Sequence, residues 1–314
     1  MYKVMMYDGG VYRSDELYEA IEDVGGVVLQ KTRSAQMLTV VMSVPEEDRG
    51  TIESVCRDIG GEVKDVPLAG TEIAVIGMTL GRHHMPHPIC DIAEILRRNG
   101  AVTVVMGLAR GRGKKTSQIS AVEEGIIDEY DGAIMMMGNF KDCVEKKAEI
   151  LMPDIHVPLL LVCGPEPDGV EEYCDSVVSG VGRKASRMKS VEDRAKLDEI
   201  VDAMDRIVDA RKRSIEEDPL FVSPSEVKTV LESYGPIDMC LRPAPMVLHL
   251  DGLRLKIPYS EHRAALEDTV VYGRRLGDIA EIFPSRIDDS STIVRIKTRS
   301  QVEYDDAKRV SDAA

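Results

Sequence analysis

The stretch 72–108, EIAVIGMTLGRHHMPHPICDIAEILRRNGAVTVVMGL, decides how the chain folds. Its apolar runs EIAVIGM and VTVVMGL do not alternate with polar residues, so neither suits a strand with one wet face. Between them CDIAEILRRNG has helical spacing and stops at a glycine. Buried strand, helix and buried strand form the unit of a parallel sheet covered on both faces. GAIMMMG, PLLLVCG and DSVVSGV continue the strands, separated by the helical stretches SAVEEGIIDEY and FKDCVEKKAEILM. The long charged SVEDRAKLDEIVDAMDRIVDARKRSIEED follows. Residues 69–215 are therefore expected to form a five-stranded parallel α/β domain, flavodoxin-like or Rossmann-like, with the strand order open.

Working outward, residues 1–68 alternate as strand, helix, strand, strand, helix, strand. YKVMMY, GVVLQKT, MLTVVMSV and EVKDVPL are the strands, with RSAQ as a polar break. SDELYEAIEDVG starts with acids and ends at glycine, while PEEDRGTIESVCRDIGG opens on proline and acids, as helix starts do. The order βαββαβ is the ferredoxin-like arrangement, common in regulatory and interaction modules. Residues 216–314 form a small α+β region. SPSEVKTVLESYG carries a Ser-x-x-Glu capping box. MVLHL and LRLKI flank Asp251-Gly252, the predicted two-residue hairpin turn. SEHRAALED and STIVRIKT add a helix and a strand, and the tail SDAA is expected to fray.

Composition narrows the function. The chain has 314 residues, 43% of them hydrophobic, enough for two or three cores. No apolar run could cross a bilayer and no signal peptide is evident, so a cytoplasmic location is expected. The cysteines at 56, 90, 143, 163, 174 and 240 form no CxxC pair and are expected to be free thiols. A net charge of −15 argues against a general nucleic-acid binder. The charge is uneven, however: no acid occurs from 95 to 122 or from 176 to 190.

In a parallel sheet the strand-to-helix loops all leave one edge, where ligands of open α/β folds bind. That rim would gather Arg82, His83, His84, His87, Arg110, Arg112, Lys114, Lys115, Asn139, Arg183 and Lys184, suited to an anion or an acidic partner surface. The plain alternative is a set of solvated basic loops. Gly113-Lys114 is followed by Lys115 and no glycine stands at 108, so the P-loop pattern fails. His84-x-x-His87-x-x-Cys90 has metal-compatible spacing, interrupted by two prolines. Pro88 at a first helical position puts Cys90 in a first turn, and Asn139 as a cap does the same for Cys143. Thiols there tend toward thiolate. His84, His87, Cys90 and Cys143 are thus candidates for a metal or an interfacial cluster, although no complete ligand set is local. The Asp-x-His-x-x-Gly signature of cobalamin domains is absent, and no nucleophile triad can be assigned.

The segments MYDGGVYRSDEL, PLAGTEIAVIGMTLGRHHMPHPICDIAEILRR, GLARGRGKKTSQIS and MGNFKDCVEKK resemble methanogenesis marker protein 7 of methane-producing archaea, over roughly residues 1–165. The resemblance implies a non-catalytic subunit of the ATP-dependent complex that activates methyl-coenzyme M reductase by reducing its nickel cofactor. ATP would then be bound by a partner component, in keeping with the failed P-loop. The chain alone would hold no cofactor, and an iron–sulfur cluster shared with partner subunits is the expectation for the rim cysteines and histidines. A reading from another class is a stand-alone methanogenesis enzyme binding a phosphorylated or anionic coenzyme in the basic crevice. Co-purifying partners favour the subunit; turnover by the isolated chain favours the enzyme.

Overall fold

The structure, a computed structural model, describes residues 2–33, 35–78, 88–109, 118–181, 190–242 and 244–313. It is a mixed α/β chain with two antiparallel four-stranded sheets, a two-stranded ribbon and a five-stranded parallel sheet. Contacts divide it into two compact units, Met1–Gly70 with Leu220–Pro284 and Asp289–Ala314, and Thr71–Pro219 with Ser285–Asp288.

The first unit begins with β1 (Tyr2–Gly10), α1 (Ser14–Asp23), β2 (Val27–Arg33), β3 (Met37–Pro45), α2 (Arg49–Asp58) and β4 (Glu62–Asp65). The sheet order is β2-β3-β1-β4, every pair antiparallel. Both helices close one core, in which Met5, Tyr7, Val40 and Met42 of the sheet meet Leu17, Ile21, Ile52 and Cys56. Each such side chain contributes on the order of 1.5–3 kcal/mol when fully buried. Glu46–Asp48 forms a 3-10 turn, so α2 starts later than its proline and acids imply.

The second unit holds β5 (Glu72–Gly77), α3 (Pro88–Arg98), β6 (Val102–Gly107), α4 (Ala121–Ile127), β7 (Gly132–Met136), α5 (Lys141–Leu151), β8 (Leu159–Val162), β9 (Ser176–Val178) and α6 (Ser190–Glu217). Each of the five apolar runs becomes a strand. The order is β6-β5-β7-β8-β9 and every pairing is parallel. β5, β7 and β8 are buried at every residue, which is why they lack the alternation of a half-wet strand. Ala74, Ile76, Ala133, Met135, Leu159 and Leu161 share a core with Ile127 of α4 and Val144, Ala148 and Leu151 of α5. The intervening strand residues face the other way, where α3 and α6 pack on the sheet and on each other.

SAVEEGIIDEY is not helical throughout. Ser120 and Glu123 form a capping box, but α4 stops at Ile127. The carboxylates that follow are drawn off as acceptors. Asp128 accepts from the His156 N–H at 2.8 Å, Glu129 from the Ser285 hydroxyl at 2.7 Å and from the Arg286 N–H, and Asp131 from the Glu72 N–H at 2.7 Å. One short turn thereby ties three separate segments of the unit.

The rest of the first unit comprises α7 (Pro224–Glu232), α8 (Gly235–Asp238), β10 (Met246–His249), β11 (Gly252–Leu255), α9 (Tyr259–Asp268), β12 (Val270–Val271), β13 (Arg274–Arg275), α10 (Leu276–Ile279), β14 (Ala280–Pro284), β15 (Thr292–Ile296) and α11 (Arg299–Ala313). The sheet order is β10-β11-β15-β14. The capping box of α7 forms as its Ser-x-x-Glu spacing predicts, from Ser223 to Glu226. The hairpin is real, but its turn sits one residue earlier than Asp251-Gly252. His249 pairs with Gly252, leaving Leu250-Asp251 as the loop and His249 buried in the strand. Gly252 is demanded by packing: a Cβ there would lie 1.9 Å from the Val294 carbonyl oxygen on β15. The SDAA tail is helical through Ala313. Among the described residues no helix is long and apolar enough to cross a membrane.

Candidate functional site

The five parallel strands of the second unit end on one edge. β5 and β7 are neighbours in the sheet, yet α3, which follows β5, and α5, which follows β7, pack on opposite faces. The carboxyl ends of those two strands are therefore a topological switch point, the place where open parallel sheets of this kind take ligands.

Among the described residues, main chain lines part of this edge. Two residues past the ends of β7, β8 and β9 stand Gly138, Gly164 and Gly180. The Gly164 N–H donates to the Gly138 carbonyl at 3.1 Å, and the Gly180 N–H donates to the Gly164 carbonyl at 3.0 Å. The ladder thus runs beyond the strands as a row without side chains. A Cβ on Gly164 would meet the Asn139 amide oxygen at 2.6 Å, and one on Gly180 would meet the Lys196 side chain at 3.1 Å. Asn139 and Lys196 therefore lie against the row, and Lys196 Nζ pairs with Glu199 at 2.7 Å. The absence of a Cβ at Gly164 and Gly180 thus makes room for this chain's own Asn139 and Lys196, while a Cβ on Gly138 would meet nothing within 4 Å.

Beside it, Phe140 is 79% exposed. Lys141 Nζ donates to Asp168 at 2.7 Å, a bond that raises the Lys141 pKa. The Asp168 N–H in turn donates to Glu145 at 2.9 Å, fixing the loop after β8 to the first turns of α5. Phe140, in extended conformation, is the N-terminal cap residue of α5. Asn139 is thus not the cap that its sequence position implies; it lies one residue earlier, over Gly164. Cys143 nonetheless falls in the first turn of α5 and Cys90 in that of α3, and both are exposed.

Of the predicted rim, Arg82, His83, His84, His87, Arg110, Arg112, Lys114, Lys115, Arg183 and Lys184 lie outside the described residues. In sequence they fall between β5 and α3, β6 and α4, and β9 and α6. The sequence reading missed Gly138, Gly164, Gly180 and Lys196. The signal was a glycine at one offset after three successive strands, in MMMG, LVCG and VVSG.

Thiol accessibility is directly checkable. Burial pushes Cys56, Cys163 and Cys174 up to about 11, and the Cys163 sulfur donates to the Pro165 carbonyl at 3.1 Å. In a maleimide time course on the native protein, mass mapping is expected to find Cys90 and Cys143 modified first. Cys56 and Cys163 should react only after denaturation. Equal rates at all four sites would contradict this placement.

The chain is thus a mixed α/β protein whose parallel sheet carries a row of hydrogen-bonded glycines at its carboxyl edge. The family model for methyl-coenzyme M reductase operon protein C matches residues 2–269. The chain belongs to that family. It is 35% identical over 306 residues to an uncharacterized protein of Methanocaldococcus jannaschii, covering 97% of both chains. Methyl-coenzyme M reductase operon protein C of Methanosarcina barkeri is 28% identical over 98 residues, which span 29% of this chain and 48% of that one. A crystal structure of a hypothetical protein aligns with TM-score 0.24 and 17% identity, covering 46% of this chain and 79% of that one.

Proposed function

We propose that this chain is a methanogenesis accessory protein of the marker protein 7 type, a non-catalytic subunit that works with methyl-coenzyme M reductase. The observation that carries this is membership of a family whose name ties it to the reductase's operon. Within that function the subunit serves the ATP-dependent activation of the reductase, with ATP bound by a partner component. The strand orders β2-β3-β1-β4 and β6-β5-β7-β8-β9 support a ferredoxin-like module and a flavodoxin-like one as the scaffolds. Partners dock at the carboxyl edge, where the exposed ring of Phe140 stands beside the glycine row; the basic segments follow β5, β6 and β9 in the sequence.

The thiols of this chain do not fit a complete iron–sulfur cluster. Cys90 and Cys143 are exposed, but two thiols are half of a four-thiolate set. Cys56 and Cys163 are buried, Cys174 is half-buried with its thiol pushed up to about 11, and Cys240 belongs to the first unit. Any cluster at this edge is therefore shared, with the remaining ligands supplied by a neighbour.

The test is a pull-down with the tagged full-length chain from methanogen extract, followed by metal analysis. The reductase or its activating components are expected on the tag, and Arg110→Glu with Arg112→Glu should weaken their retention in a salt-sensitive way. Iron content that falls in Cys90→Ala and Cys143→Ala complexes supports the shared cluster; unchanged iron removes it and leaves a docking subunit. Turnover of a small anionic coenzyme by the isolated chain would overturn the subunit assignment.

A further inference from the structure

The outer strand of a sheet offers unpaired backbone groups to other chains unless something blocks it. Most outer strands here are blocked. β2 is bulged between Val28 and Gln30 and carries Lys31 and Arg33. β4 contains Glu62, Lys64 and Asp65, and β14 contains Glu281 and ends at Pro284. β9 has three residues and β10 four.

β6 differs from all of these. It has six residues, VTVVMG, with no charge, no proline and no register shift against β5. The Val102 N–H donates to the Thr71 carbonyl and the Leu108 N–H to the Gly77 carbonyl. Strand alternation then turns the N–H and C=O groups of Thr103, Val105 and Gly107 away from β5. Among the described residues β5 is the one strand paired with β6, and Val105 is 37% exposed.

We propose that β6 is a docking edge for an extended, acid-flanked segment of a partner protein, added to the parallel sheet as a further strand. Charge selects this occupant. At the end of α3, which packs on β6, Arg97 and Arg98 are 64% and 67% exposed and share the single carboxylate of Glu94. The sequence from 95 to 122 contains cations and no acid. A second copy would set that cationic stretch against itself. A β-branched segment flanked by Asp or Glu would find both an open ladder and opposite charge. The edge offers this ladder whether or not the partner belongs to the reductase system.

The probe is a synthetic peptide with an alternating Val-Thr centre and aspartates at both ends, alongside a version with lysines at the ends. The full chain should bind the aspartate peptide and slow amide exchange at Thr103, Val105 and Gly107, leaving Val104 and Met106 as protected as before. Val105→Pro removes an outward donor and no bond to β5, and should weaken binding on the order of tenfold. Val105→Glu, which keeps the backbone donor but adds a charge of the same sign as the peptide's aspartates and should also weaken binding, is the second variant should proline disturb the fold. Equal affinity for the lysine peptide, binding insensitive to both variants, or edge amides already protected in the free chain would each overturn the proposal. So would a concentration-dependent dimer that protects the same amides, since the occupant would then be a second copy.

Discussion

Gly252→Ala is expected to cost about 3 kcal/mol or more of stability, read as a lower urea midpoint. The added Cβ would stand 1.9 Å from the Val294 carbonyl oxygen and 3.0 Å from the Val294 carbonyl carbon. Both are backbone atoms of β15, the strand hydrogen-bonded to β11, so no rotamer change relieves the clash. Relief requires β11 and β15 to move apart, at the expense of the ladder that joins them and of Leu253, Leu255 and Val294 in the core beneath. Gly50→Ala is the contrasting substitution. Gly50 lies in α2, where a methyl group would find open space within 4 Å, and alanine there should raise stability by about 0.5–1 kcal/mol. A Gly252→Ala protein as stable as the parent would show that the two strands are not packed as closely as described.

The second large effect is expected at Glu129, which is 4% exposed. Its carboxylate accepts from the Ser285 hydroxyl, itself buried, and from the Arg286 N–H. Glu129→Ala leaves both donors without this acceptor, for a loss of about 3–5 kcal/mol, since stranding buried donors costs more than the bonds contribute. Glu129→Gln keeps an acceptor oxygen and should lose less than half as much. Amide exchange at Arg286 reports the change locally: it should accelerate in Glu129→Ala well before the rest of the second unit opens. An unchanged Arg286 amide in the alanine variant would contradict the assigned role.

The sequence made the parallel sheet legible because its strands are buried on both faces and short enough to exclude helices. Residues such as Ile73 to Ile76 leave no other explanation for an unbroken apolar run. Legibility fell where tertiary packing, not local pattern, fixed the outcome. Gly252 looks like a turn glycine beside Asp251, and only the carbonyl of Val294 explains it otherwise. Asn139 is a good cap by residue type, but its side chain is engaged over Gly164 and Phe140 takes the cap position. α11 had no apolar stripe to announce it: Val302 is buried while Tyr304 is 69% exposed. β12 and β13 are two residues each, too short for any periodicity. At the site, the sequence places Cys90 and Cys143 in first turns through Pro88 and through Asn139 as a cap. Pro88 does open α3, whereas Cys143 lies in the first turn of a helix capped by Phe140. The glycine row required knowing that three loops meet.

That row also bears on how such a surface is inherited. Gly138, Gly164 and Gly180 present peptide groups bonded to one another, so the contour of the floor is drawn by the backbone and not by side-chain identity. Apart from Asn139 and Lys196, which lie against it, neighbouring positions can drift through many residue types without reshaping it, provided three glycines keep their distance from the strand ends. A lineage could preserve this contour while losing every residue-level motif around it. Recognition by such a surface would be traced in divergent sequences through the spacing of glycines, where a search for reactive side chains would pass over it.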